Sequence, residues 1–177
     1  MSARALINLT QSKVAVVDDA DLPLVEGYSW YASRVPKKVG SNWYARTSIR
    51  VGGRVVKVQM HRFLLGLKPG DLGVDHRDDD GLNNRRENLR LATQSQNNAN
   101  SSGHPSCRRS LYKGVYWHRD AGLRAGGRWC AEIWVNGKPI FRYARTEVEA
   151  AALYNELAIQ HFGEFARLND VDVPGTL

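Results

Sequence analysis

Cysteine is nearly missing from this chain. Two among 177 residues, Cys107 and Cys130, cannot build a four-cysteine zinc site or a disulfide framework. They read as reduced thiols of a cytoplasmic protein. No long apolar run occurs, which excludes a membrane-spanning helix. Met1 to Leu9 lacks the pattern of a secretory leader, and no solenoid-type repeat is visible. Acidic residues are in deficit: 18 Asp and Glu face 25 Lys and Arg, a formal net charge of +7. Such an excess points to a polyanionic partner, with nucleic acid the default.

The charge is unevenly spread. Residues 1–100 carry fifteen basic against ten acidic side chains, residues 101–145 nine against two, and residues 146–177 one against six. A basic block is thus followed by an acidic segment. The length suits one or two small domains with a real core.

Residues 4–60 read as strands. Val14 to Val17 is a short buried run bounded by aspartates, and Trp43 to Val51 turns at Gly52-Gly53 into Arg54 to Met60. His61 to Leu67 predicts one or two helical turns stopped by Pro69-Gly70. Past residue 97 the chain is rich in Asn, Ser and Gly and reads as a linker over 101–111. Three strands follow: Tyr112 to His118, Arg128 to Val135 after a turn at Gly126-Gly127, and Lys138 to Ala144 after the hairpin dipeptide Asn136-Gly137. Thr146 and Glu149 form a capping box that opens a helix, and Gly163 ends it. The fold class is α+β: a β-rich segment over 1–60, a ββα unit over 61–100, then three antiparallel strands packed on one helix within 112–177.

The chemistry lies in an ordered set: Asp75-His76, then Asn88, then Asn97. Val74 to His76 ends a strand, residues 77–87 are too polar to bury and form a loop, and Asn88 to Thr93 returns as a second strand. Gln94 to Asn100 then forms a short helix capped by Thr93 or Ser95. The arrangement offers Asp75 and Asn97 as two oxygen ligands for one divalent cation, Mg²⁺ or Mn²⁺ rather than zinc. His76, on the opposite strand face, is a competent base toward water at neutral pH. Asn88 pins the loop and orients His76. Arg85, Arg86 and Arg90 read equally as phosphate contacts or as a solvated face paired with Asp78, Asp79, Asp80 and Glu87. His61 reads as a core histidine.

With its intervals of twelve from His76 to Asn88 and nine from Asn88 to Asn97, residues 61–100 resemble the HNH (ββα-metal) nuclease family. Within it they look like the phage and intron homing-endonuclease branch. The resemblance implies His76 as general base, Asn88 as the middle asparagine, and Asp75 with Asn97 as metal ligands. It favours Mg²⁺, because the extra histidine of colicin-type members is replaced here by Ser101.

In the second half, alternation puts Arg128, Cys130, Glu132 and Trp134 on one strand face and Trp129, Ala131, Ile133 and Val135 on the other, the helix-packed one. Residues 112–169 resemble the plant ethylene-response-factor (APETALA-type) domain through Tyr112-Lys113-Gly114-Val115, Trp129 to Ile133, Asn136 to Lys138 and Gly163 to Asn169. That likeness implies a sheet entering the major groove of duplex DNA. The candidate contacts are Lys113, Tyr116, His118, Arg119, Arg128, Trp134, Lys138, Arg142 and Arg145. Phe141-Arg142 departs from the usual Leu-Gly of that family, so no target sequence transfers.

The expectation is a metal-dependent, site-selective double-stranded DNA endonuclease of homing type. It is expected to be a monomer that nicks, in the cytoplasm of a bacterial host, with no obligate protein partner. The rivals are a sequence-specific transcription factor keeping an inactive nuclease module and, more weakly, an RNA-binding protein.

Overall fold

A computed structural model describes residues 3–36, 41–101, 110–119 and 128–171. The turn expected at Gly126-Gly127, Cys107, and most of the expected linker lie outside the described residues. The chain divides into two compact units, Met1–Ala92 and Thr93–Leu177.

In the first unit, β1 (Arg4–Asn8) and β2 (Val14–Asp18) form an antiparallel hairpin. A single helical turn, α1 (Leu22–Val25), leads to a three-stranded antiparallel sheet of β3 (Tyr31–Pro36), β4 (Ser41–Val51) and β5 (Arg54–Gln59). Gly52 and Gly53 take positive φ of 55° and 78°, as the tight β4–β5 turn requires. The short helix α2 (Met60–Leu64) follows, then the two-stranded sheet of β6 (Gly73–His76) and β7 (Leu89–Ala92). Ala15, Val17, Val25, Trp30, Ala45, Met60 and Leu64 make the core of this unit. Trp30 can be buried because its indole nitrogen donates to the Val25 carbonyl at 2.9 Å.

The second unit opens with α3 (Gln94–Asn100), where Thr93 and Gln96 close a reciprocal capping box. β8 (Val115–His118), β9 (Arg128–Val135) and β10 (Lys138–Ala144) form an antiparallel sheet in the order β10-β9-β8, and α4 (Glu147–Phe162) packs on it. Asn136 and Gly137 both have positive φ, the type I′ geometry that the dipeptide predicts. Thr146 and Glu149 close the second capping box. Val115, Ala131, Ile133, Ala151, Tyr154 and Leu157 lie in the core, with Trp129 packed against it. The α+β architecture and the three-strands-on-a-helix arrangement match the expectation from sequence. β8 is three residues shorter at its start. There Gly114 adopts a φ of +69°, and a Cβ would meet the Tyr154 ring at 2.3 Å.

Candidate active site

β6 and β7 pair with Asp75 opposite Arg90 and His76 opposite Leu89. The pleat should expose one side of so short a strand, yet Val74, Asp75 and His76 are all buried, Asp75 at 2 % and His76 at 5 % exposure. Both faces are covered. On one, the Asp75 carboxylate takes hydrogen bonds from Nε and a terminal nitrogen of Arg90, each at 2.7 Å to Oδ2. On the other, the His76 ring meets His61 of α2 edge-on at 4.9 Å between centroids, and Tyr44 of β4 lies 5.9 Å away.

The loop between the strands is fixed by its own side chains. Asn88 Nδ2 donates to Asp78 Oδ1 at 2.9 Å and to the Asn83 carbonyl at 2.8 Å, while Asn88 Oδ1 accepts from the Asp78 amide at 3.2 Å. Asn83 Nδ2 donates to the other Asp78 oxygen at 2.7 Å. Asn88 therefore closes the 77–88 loop on itself. Outside partners hold the loop as well. Asn42 of β4 donates to the Asp79 carbonyl at 2.9 Å, and the Asn84 amide donates to the Val16 carbonyl at 2.7 Å. Gly81 passes so close that a Cβ would stand 2.4 Å from the Trp43 carbonyl and 2.5 Å from the Tyr44 ring.

The three arginines expected to meet phosphate or to pair within the acidic loop make ion pairs inside this unit. Arg85 pairs with Asp18 at 3.1 Å and with Glu87 at 2.6 Å. Arg86 grips both oxygens of Asp21 and also reaches the Leu64 carbonyl. Arg90 pairs with Asp75. Asp18 and Asp21 are buried at 8 % and 4 % exposure, and buried carboxylates demand such partners. Sequence reading does not connect them to the motif, because more than sixty residues intervene. His61 and Tyr44 as neighbours of His76 are also missed, because they come from separate elements that meet it only on packing.

Burial sets the electrostatics. It pushes the His61 imidazole down to about 3, with His76 and two arginines adding to the effect. It also lowers His76 below the ordinary histidine range, partly opposed by an Asn84 hydrogen bond and the carboxylates of Asp78 and Asp75. His76 is thus neutral at physiological pH, the form that accepts a proton. A histidine held neutral by burial binds its proton more readily in the unfolded chain. Stability is therefore complete above the ordinary value of 6.5 and is lost as pH falls toward about 3, the folded value for His61. His61→Gln is expected to lessen the slope of unfolding free energy against pH by up to about 1.4 kcal/mol per pH unit within that window. Urea titrations at stepped pH measure it, and an unchanged slope refutes the assignment.

Among the described residues no cluster of three or more His, Cys, Asp and Glu is placed to hold a metal ion. Mg²⁺ asks for less. It is held by one or two carboxylates together with waters and substrate phosphates. The Arg90 pair fixes the Asp75 carboxylate. The Asp75 carboxylate and the Asn97 carboxamide both offer oxygen, the donor type that suits a hard divalent cation. Asn97 is half-buried on α3 in the second unit, whereas Asp75, His76 and Asn88 belong to the first.

In the second unit, Tyr116, His118, Arg128 and Trp134 share the sheet face away from α4, because register pairs Tyr116 with Cys130 and His118 with Arg128. Phe141 and Tyr143, opposite Glu132 and Cys130, lie on that face too and are exposed, as is Trp134 at 58 %. Sequence reading leaves these two aromatics out of the contact set, although strand alternation places them there. Lys138 and Arg142 sit opposite Val135 and Ala131, on the helix-packed side of edge strand β10, and both are exposed. Arg119 and Arg145 are exposed just beyond β8 and β10. Lys113 is directed to α3, as described below.

Residues 62–99 match the HNH endonuclease family. The chain is similar to an uncharacterised HNH endonuclease of Acanthamoeba polyphaga mimivirus, 35 % identical over 156 residues, covering 85 % of this chain and 71 % of that protein. No solved structure matches the chain.

Proposed function

The chain belongs to the HNH endonuclease family and is a nuclease; from that premise we propose a metal-dependent, site-selective endonuclease of duplex DNA, of homing type, that nicks one strand. The observation that carries the reading is His76: an imidazole desolvated into its neutral form, at the end of β6 directly after Asp75, beside a loop that Asn88 locks.

His76 is the general base. It removes the proton from the water that attacks phosphorus. Asp75 and Asn97 would hold the cation, and Mg²⁺ or Mn²⁺ would supply charge stabilisation at the phosphate and leaving oxygen. Arg90 holds the Asp75 carboxylate in one orientation through the paired 2.7 Å contacts. Asn88 acts on the loop, fixing its backbone at Asp78 and Asn83. His61 and Tyr44 wall off the imidazole and keep it neutral.

The second unit is an ethylene-response-factor-type reader of the duplex. Tyr116, His118, Arg128 and Trp134 face the groove, joined by Phe141 and Tyr143. Arg119, Lys138, Arg142 and Arg145 lie at the borders of the sheet, suited to phosphate contacts that set register rather than sequence. Such contacts make affinity fall with salt, with a log–log slope near −0.9 for each phosphate neutralised.

Incubation of the full chain with a randomised duplex pool, with and without Mg²⁺, tests the reading when strand-resolved ends are sequenced. Mg²⁺-dependent breaks confined to one strand at a recurring sequence are expected. Binding without any break at any Mg²⁺ concentration leaves a sequence-specific DNA-binding protein with an inactive nuclease module.

A further inference from the structure

Lys113 precedes β8, and a single side chain grips its backbone from both sides. Asn169 Oδ1 accepts from the Lys113 amide at 2.6 Å, and Asn169 Nδ2 donates to the Lys113 carbonyl at 3.1 Å. Asn169 is itself held by Asn155 of α4. Its amide donates to Asn155 Oδ1 at 2.7 Å, and its carbonyl accepts from Asn155 Nδ2 at 2.9 Å. From this fixed base the Lys113 ammonium donates to the Ala99 carbonyl and, at 2.8 Å, to the Ser101 carbonyl.

Those two carbonyls end α3. The helix has seven residues and no basic side chain in its last turn. A helix so short does not stand by its own hydrogen bonds. Its terminal carbonyls need donors, and a cation there opposes the negative end of the helix dipole. Lys113 provides both from a distant part of the chain. The Arg167 amide adds a bond to the Ala99 carbonyl at 3.3 Å, and Ala99 and Asn100 are buried. Asn97 lies in this same last turn, and its carbonyl accepts from the Ser101 amide at 3.2 Å. A continuous set of contacts therefore runs from α4 through Asn155, Asn169 and Lys113 to the turn that carries Asn97.

We infer that Lys113 is a positioning residue for Asn97, and not a DNA contact: it fastens the helix bearing the metal ligand to the sheet unit, so that the orientation of Asn97 is set by the element that meets DNA. The inference rests on the reading of Asn97 as a metal ligand. It makes capture of the cation depend on the integrity of the sheet unit, through one ammonium group.

The test uses the full chain carrying Lys113→Met, with Lys113→Gln as a milder variant should the first fail to fold. Three quantities are read: amide hydrogen exchange over residues 97–101, Mn²⁺ binding by electron paramagnetic resonance with duplex present, and DNA affinity against salt. Exchange about tenfold faster and Mn²⁺ affinity about tenfold weaker are expected from the loss of the ammonium's two charge-assisted hydrogen bonds, with the salt slope unchanged and Lys113→Arg close to wild type. A salt slope smaller by about one ion with unaltered exchange makes Lys113 a phosphate contact and overturns the inference. Asn97→Ala separates the two claims. If that variant binds Mn²⁺ as tightly as wild type, the metal reading of Asn97 has failed. If it loses Mn²⁺ while Lys113→Met does not, only the positioning role has.

Discussion

His76→Ala is expected to slow strand cleavage by about 10²–10⁴-fold, the usual contribution of a positioned base, while DNA affinity stays within about twofold, because His76 belongs to the nuclease unit and is buried. The pH profile adds a second reading of the same residue. Burial lowers the His76 imidazole, so the acid limb of the wild-type rate should fall below pH 6.5, and loss of the base should abolish that limb. Nicking of a supercoiled plasmid under single-turnover conditions measures both. A fully active His76→Ala protein removes the mechanism.

Arg90→Met should destabilise the first unit by about 3–5 kcal/mol. The guanidinium and the Asp75 carboxylate are side chains at 8 % and 3 % exposure, bonded through two 2.7 Å contacts. Removing the cation takes from a buried carboxylate its charged partner. Adding Asp75→Asn should restore part of the loss, because a carboxamide is cheaper to bury than a charge, while removing the proposed metal ligand is expected to abolish cleavage. Denaturant titration with the midpoint and slope fitted separately gives the result. Were Arg90 a phosphate contact instead, the single variant would leave stability within about 0.5 kcal/mol and weaken DNA binding.

What sequence makes legible here is local. β9 and β10 begin and end where alternation and the Asn136-Gly137 turn place them, since positive φ at two successive positions is a strong constraint. α3 and α4 start at threonines whose partners stand three residues on, within reach of one helical turn. The Asp75, His76, Asn88 and Asn97 spacing is legible for the same reason, being carried by a hairpin and a helix in direct succession. What escapes is decided by packing between segments far apart in the chain. Arg86 finds Asp21 across 65 positions, and His61 meets His76 only once α2 packs beside β6. The placement of α3 is another case. Its polar sequence reads as the tail of the nuclease motif, as the family match over 62–99 has it, but its last turn, which buries Ala99 and Asn100 and is capped from Lys113, is not legible there. Lys113 reads from sequence as a groove contact, and the two backbone carbonyls that its ammonium meets lie twelve and fourteen positions away, beyond local reading.

The pairing of Asp18 and Asp21 with Arg85 and Arg86, together with the bridge from Val16 to Asn83, means that the nuclease motif is not a portable cassette. A peptide excised from residue 61 onward would keep both guanidinium groups and Glu87 but lose the buried carboxylates of Asp18 and Asp21, along with the strand edge that receives the loop. Grafting the motif into a foreign scaffold would require an acceptor that offers two recessed anions, one at the end of a neighbouring strand and one in the turn after it. Choosing a host by backbone shape alone would miss that requirement.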